Sequence, residues 1–177
     1  MSLSSSSVIR ALGLTAALAG VAGAQAAQKA CEVNESKPTA VGRATLALQV
    51  AQSSQAPEAA ARQLVAAVKG LTDNGEKMEN QPGRNLVLGK VLTLWSMQPN
   101  VELVANRGKL GYTTNPTGEI DLAMAIDSAF KVVETSNPEC ISETSRWRGQ
   151  KAWINLVNKA IERLNAEDVD SAEQVSR

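Results

Sequence analysis

The chain has 177 residues with 18 basic and 18 acidic side chains, so its length suits one domain. Its zero formal charge removes the electrostatic argument for nucleic acid or an anionic membrane surface. Hydrophobic residues make up 44% but aromatic ones only 3%, which favours alanine-rich helices packed closely through small side chains; the absence of histidine excludes His-based triads, His general bases and His metal ligands, and no cofactor or metal is expected.

Residues 1–26 run from a polar start ending in Arg10, through the apolar stretch Ala11 to Val21, to Ala24-Gln25-Ala26. This is the order of a secretory signal peptide, with small residues at the two positions a signal peptidase must accommodate. The apolar run is well short of the ~20 residues that a membrane span needs, and no later segment is longer. The expectation is a mature chain of residues 27–177, without a membrane span, in a periplasm or outside the cell.

Cys31 lies just inside that mature chain and Cys140 follows Asn137-Pro138-Glu139. In an oxidising compartment the economical reading is one disulfide between them, closing a long loop and stapling the N-terminus to the body. Lipid attachment at Cys31 is disfavoured by the polar Gln28 and Lys29, a catalytic dithiol more often has C-x-x-C spacing, and free thiols are the remaining reading.

Pro38-Thr39 opens a helical stretch to about Ser53, with Val41, Ala44, Leu48 and Ala51 at helical spacing. After the break at Gln52 to Gln55, Pro57 suits a first helical turn, Glu58 suits the helix N-terminus, and Ala60, Leu64, Ala67 and Leu71 form the next stripe. Two antiparallel helices are predicted. Asp73-Asn74-Gly75 ends the pair, and a polar loop to Pro82-Gly83 leads to a helix over Asn85 to Met97. That helix is apolar on nearly every side and is expected in the middle of the packing.

From Pro99 to Gly118 the glycines, Asn115 and Pro116 predict one long, ordered or partly extended connection, with Val101, Leu103 and Tyr112 the candidates for a short hairpin. Thr117 is the predicted cap of a helix over 118–136 in which Leu122, Ile126, Ala129, Phe130 and Val133 line one face, stopped by Asn137-Pro138. Gly149 to Asn165 reads as the last strong helix, through Trp153, Leu156, Val157, Ala160, Ile161 and Leu164. Glu167 to Arg177 begins another whose apolar residues Val169, Ala172 and Val175 are few and small, so the expectation is either that the natural chain continues into further helices or that a partner or second copy covers the face of Trp153 to Leu164.

Leu88-Gly89-Lys90-Val91-Leu92, with Asn85 where Trp is usual, and Trp153-Ile154-Asn155-Leu156-Val157, with Val where Gly is usual, resemble first helices of the tetratricopeptide repeat family. Ala60, Leu64 and Ala67, then Ala125, Ala129 and Val132, are similar to its second helices, and Asp168 to Glu173 to the opening of another. The resemblance implies an all-α fold of antiparallel helix pairs stacked as a right-handed solenoid, with a concave surface that binds a protein or an extended peptide and no catalytic centre. A nonrepetitive helical bundle is the other architecture in view.

Chemistry is sparse. Asp121 and Asp127, six residues apart on one predicted helix, face different directions, and the acidic cluster Glu167, Asp168, Asp170 and Glu173 lacks the spacing of a calcium loop. Gly108-Lys109-Leu110-Gly111 lacks the full phosphate-loop pattern. The one ligand candidate is Arg146-Trp147-Arg148, an aromatic between two guanidinium groups; with the loop around Tyr112 it would form the pocket of a chain that is instead a small-ligand-binding or enzymatic subunit. The alternative reading buries Trp147 beneath the Cys140 loop and leaves both arginines in water or paired with Glu139 and Glu143.

Overall fold

The computed structural model describes residues 30–73, 75–99, 101–150 and, beyond these, 154, 155, 157, 158, 161, 162 and 165. The leader at 1–26, Trp153, Leu156, Ala160, Leu164 and the acidic cluster from Glu167 lie outside the described residues. The rest is mostly helical.

Helix α1 spans Thr39–Ser53 and α2 spans Pro57–Thr72, and only three residues turn the chain between them. The stripes meet as their spacing dictates, burying Val41, Ala44, Leu48 and Ala51 against Ala60, Leu64, Ala67, Val68 and Leu71. Pro57 occupies the first turn of α2, with Glu58 beside it and Lys69 in the last turn, each favourable to the helix dipole.

A 3-10 turn at Gly75–Lys77 leads into α3, Gln81–Ser96. This helix begins four residues before the expected start at Asn85, because Pro82 lies inside the first turn, where its missing N–H costs nothing, and Asn80 supplies the cap. The Asn80 side-chain oxygen accepts from the Gly83 amide at 2.9 Å, while its Nδ2 donates to the carbonyls of Asn34 and Lys37. One side chain therefore starts the helix and anchors the N-terminal segment. All residues from Asn85 to Thr93 are buried, which makes α3 the central helix its all-round apolar pattern predicts.

The long connection is ordered, and its middle is built differently from expectation. Strand β1, Val104–Asn106, pairs antiparallel with β2, Glu119–Asp121, with Ala105 opposite Ile120. Between them the short helix α4, Arg107–Leu110, is capped by the Asn106 side chain and ends at Gly111 with φ 101°, and Leu110 is fully buried. A two-stranded ladder thus exists, but Val101, Leu103 and Tyr112, the residues expected to form a hairpin, all lie outside its strands. Gly111 is needed twice: its φ is in the left-handed region, and any Cβ would collide with the Val65 carbonyl of α2.

Helix α5, Leu122–Ser136, starts after Asp121 and not after Thr117. Asp121 Oδ1 accepts from the Met124 amide at 2.9 Å, and the residues before it are committed to the β ladder. Leu122, Ile126, Ala129, Phe130 and Val133 bury one face as predicted. A 3-10 turn at Pro138–Cys140 then leads into α6, Ile141–Arg148, a helix without a predicted counterpart. Helical conformation recurs at 154–155, 157–158, 161–162 and 165, within the range expected for the last strong helix.

The dominant packings are α1 along α2 and α3 along α5, with α2 and α1 also touching α3. The α3–α5 approach is close because position 89 carries no side chain: a Cβ on Gly89 would enter the Phe130 ring. Of the α5 positions that resemble a repeat's second helix, Ala129 is buried, Ala125 half-buried and Val132 40% exposed, so the tight contact runs through Phe130 instead. Cys31 and Cys140 form the expected disulfide, with Cα atoms 4.5 Å apart. Among the described residues no helix is long and apolar enough to cross a membrane.

Candidate functional site

The arginines around Trp147 are used internally. Helix α6 buries only Thr144 fully, and polar groups hold it in place. Arg148 donates through Nε and Nη2 to Asp127 Oδ1 at 3.1 and 2.9 Å and through Nη1 to Glu134, while its guanidinium lies 5.3 Å from the centre of the Phe130 ring. The Thr144 hydroxyl donates to the same Glu134 carboxylate. Arg146 pairs with Glu143 at 3.1 Å, as the alternative reading allowed, whereas Arg148 takes Asp127 and Glu134.

Beside this pair sits a buried ammonium. Lys90 of α3 has a side chain only 8% exposed and reaches Glu35 at 2.8 Å and Glu143 at 3.1 Å, with the Trp147 ring centre 5.7 Å away. Trp147 Nε1 donates to Glu143 at 3.2 Å. The N-terminal segment, α3 and α6 therefore meet on one cation. Burial alone would raise the carboxyl pKa values of Glu143 and Glu134. For Glu143, Lys90, Trp147 and Arg146 outweigh it; for Glu134, hydrogen bonds from Arg148 and Thr144 and the positive charges of Arg148 and Lys131 do so, and both carboxyls stay below their ordinary value.

Tyr112 belongs to a different place. The end of α2, the 3-10 turn, the first turn of α3 and the segment after α4 enclose an open cleft of about 430 Å³ lined by Thr72, Lys77, Arg84, Arg107, Tyr112 and Thr114, among others. Arg84 is held by its Nε hydrogen bond to the Leu71 carbonyl at 2.7 Å, and Gly75 leaves room for its guanidinium, since a Cβ there would come within 2.5 Å of Nε. Arg107 donates from Nε to the Thr114 carbonyl at 3.1 Å and stacks on Tyr112, 4.4 Å from the ring centre. The sequence reading grouped Tyr112 with Arg146, Trp147 and Arg148; it shares this cleft instead with Arg84 and Arg107, neither of which carries a motif. The only sequence signal for them was the loop's glycines and asparagine, which report order without naming the residues it gathers.

A second concavity, a groove of about 480 Å³, runs between α1 and α2 and is lined mainly by small residues, including Ala40, Ala47, Ala66 and Gly70. Asp121 and Asp127 have structural partners, the first capping α5 and the second pairing with Arg148 and Lys131. No group of three or more His, Cys, Asp or Glu side chains able to hold a metal ion occurs among the described residues. No protein-family model, curated protein or solved structure matches this chain.

Proposed function

We propose that the chain is an exported, non-catalytic helical scaffold that binds another protein or an extended peptide, its α1–α2 and α3–α5 pairs stacking as a right-handed solenoid similar to tetratricopeptide repeats. The observation that carries the reading is the outer face of α1. Leu46 and Val50 are 60% and 44% exposed and, with Arg43 and Ala47, complete an i, i+3, i+4, i+7 set beside the small-residue groove. Clustered apolar exposure next to a groove marks an interaction surface. A partner segment with apolar side chains fits the alanine floor, and Arg43, Lys69 and Asp73 at its edge orient polar groups of that segment.

The compartment of this proposal, a periplasm or the cell exterior, is supported by the leader pattern and by the disulfide. A second copy covering the C-terminal helices is supported by Ile154 and Ile161, seven residues apart and each about half exposed. The partner is tested by affinity capture from the exported fraction with the wild-type chain and with L46E/V50E, both checked for helical circular dichroism. A partner retained by the first and lost by the second is expected. Equal retention would remove α1 from the interface, and no specific partner for the wild-type chain would defeat the scaffold reading.

A further inference from the structure

Four arginines and one lysine lie in structured surroundings away from the α1–α2 groove, and they divide sharply by partner. Lys90, Arg146 and Arg148 each face at least one carboxylate within 3.1 Å, some closer. Arg84, half-buried at the start of α3, forms no ion pair among the described residues, and neither does Arg107. The remaining Arg84 contacts are long: Nη1 is 3.5 Å from the side-chain oxygens of Gln81 and Asn85, and Nη2 has no acceptor among the described residues. Burial lowers the Arg84 pKa, and the opposing influence of Tyr112 and Glu76 does not restore it. A half-buried guanidinium that meets no carboxylate at ion-pair distance retains donors for an anion.

Both guanidinium groups act on the same phenol. Burial raises the Tyr112 pKa above 10.0, although Arg107 and Arg84 pull it down, so at neutral pH the hydroxyl is protonated and can donate. Arg107 is pre-positioned by its stack on the Tyr112 ring and its bond to Thr114, which leaves its two terminal nitrogens available. We propose that the cleft between the end of α2, the start of α3 and the α4 loop binds a carboxylate, held by the forked donors of Arg84 and Arg107 and by the Tyr112 hydroxyl.

A monoanion suits the site better than a phosphate dianion. Lys77, Arg84 and Arg107 are set against Asp73 and Glu76, so the lining has a single excess positive charge, and a second negative charge would meet those acids. A cleft of about 430 Å³ has room for one residue-sized group. The carboxylate comes from a free small acid or from the C-terminus of a peptide chain. The site shares Asp73 with the α1–α2 groove but none of the residues substituted to test either proposal, so either can fail without the other.

The test is a titration of the ¹⁵N-labelled, disulfide-closed mature chain, followed by amide chemical shifts, with N-acetylglycine, N-acetyl-triglycine, the C-terminal amides of both, and inorganic phosphate. Saturable shifts confined to residues 75–77 and 107–114 are expected with the acids, with the amides at least about tenfold weaker. Tighter binding of the triglycine acid assigns a chain terminus, and tighter binding of acetylglycine assigns a free small acid. R107Q, away from the core, is expected to weaken binding by about tenfold or more with its circular dichroism unchanged, R84K is expected to weaken it less than R84Q, and R146Q is expected to leave it unaltered. No saturable shift with either acid, equal response to acid and amide, tighter binding of phosphate, or full affinity in folded R107Q would overturn the proposal.

Discussion

Lys90 shows how much one buried cation can organise. Its ammonium is almost fully withdrawn from water, and Glu35, Glu143 and the face of Trp147 replace the lost hydration from three directions. Removing the ammonium leaves Glu35 without this ion pair and Glu143 with Arg146 alone. Lys90→Met is therefore expected to lower unfolding free energy by about 3 kcal/mol, measured by urea denaturation. Arg146→Ala, whose side chain is mostly exposed, is expected to have a small effect by the same measurement. Acid sensitivity follows from the same cluster. Because Glu134 and Glu143 titrate below the ordinary value of 4.5 when folded, their stabilisation is complete above that value and is lost as pH falls through the lower folded values. A thermal-melt series should show the midpoint dropping below pH 4.5, and E134Q/E143Q should flatten that drop while lowering stability at neutral pH.

At the scale of elements, two devices position the helices. The first is the Gly89–Phe130 crossing, where a missing side chain on α3 receives a fully buried ring from α5. Phe130→Ala is expected to cost about 3–5 kcal/mol, because the cavity cannot be refilled by a residue at position 89. Gly89→Leu should be damaging for the opposite reason, overpacking, and the double variant G89L/F130A should recover part of the loss; three urea curves decide this. The second device is the Asn80 cap. It was invisible to periodicity because the first turn of α3 contains Pro82 and Gly83, residues that usually announce a loop. Helix α6 was missed for a related reason: its sequence offers no apolar stripe, since its attachment is through Thr144, Glu143 and Arg148.

For the molecule as a whole, the covalent staple matters most. The disulfide joins residues 109 apart and ties the N-terminal segment to the corner between α5 and α6, next to the Glu35–Lys90 contact. Replacing both cysteines by serine is expected to cost about 2–5 kcal/mol, a loss visible as a lower melting temperature and as early proteolysis near residue 30. Oligomeric state belongs to this scale as well. If a second copy covers the C-terminal helices, light scattering should show mass rising with concentration, and I154D/I161D should abolish that rise without changing the melt. A strictly monomeric wild-type chain would remove that part of the proposal.

The sequence by itself determined α1, α2, the centre of α3 and the buried face of α5, since each depends on side chains three or four positions apart whose burial follows from helical periodicity. It also pointed to the disulfide, because two cysteines allow only one intramolecular pairing. The β1–β2 ladder, α6, the Lys90 centre and the separation of Tyr112 from Trp147 were decided only by tertiary structure. Their partners are distant: Lys90 and Glu35 are 55 positions apart, Arg148 and Asp127 are 21 apart, and Arg84 holds a carbonyl 13 residues upstream. Charge pairing between distant elements has no period along a chain, so a cation such as Lys90 or Arg148 carries no mark of which distant carboxylate it will meet, or of whether it will meet one at all.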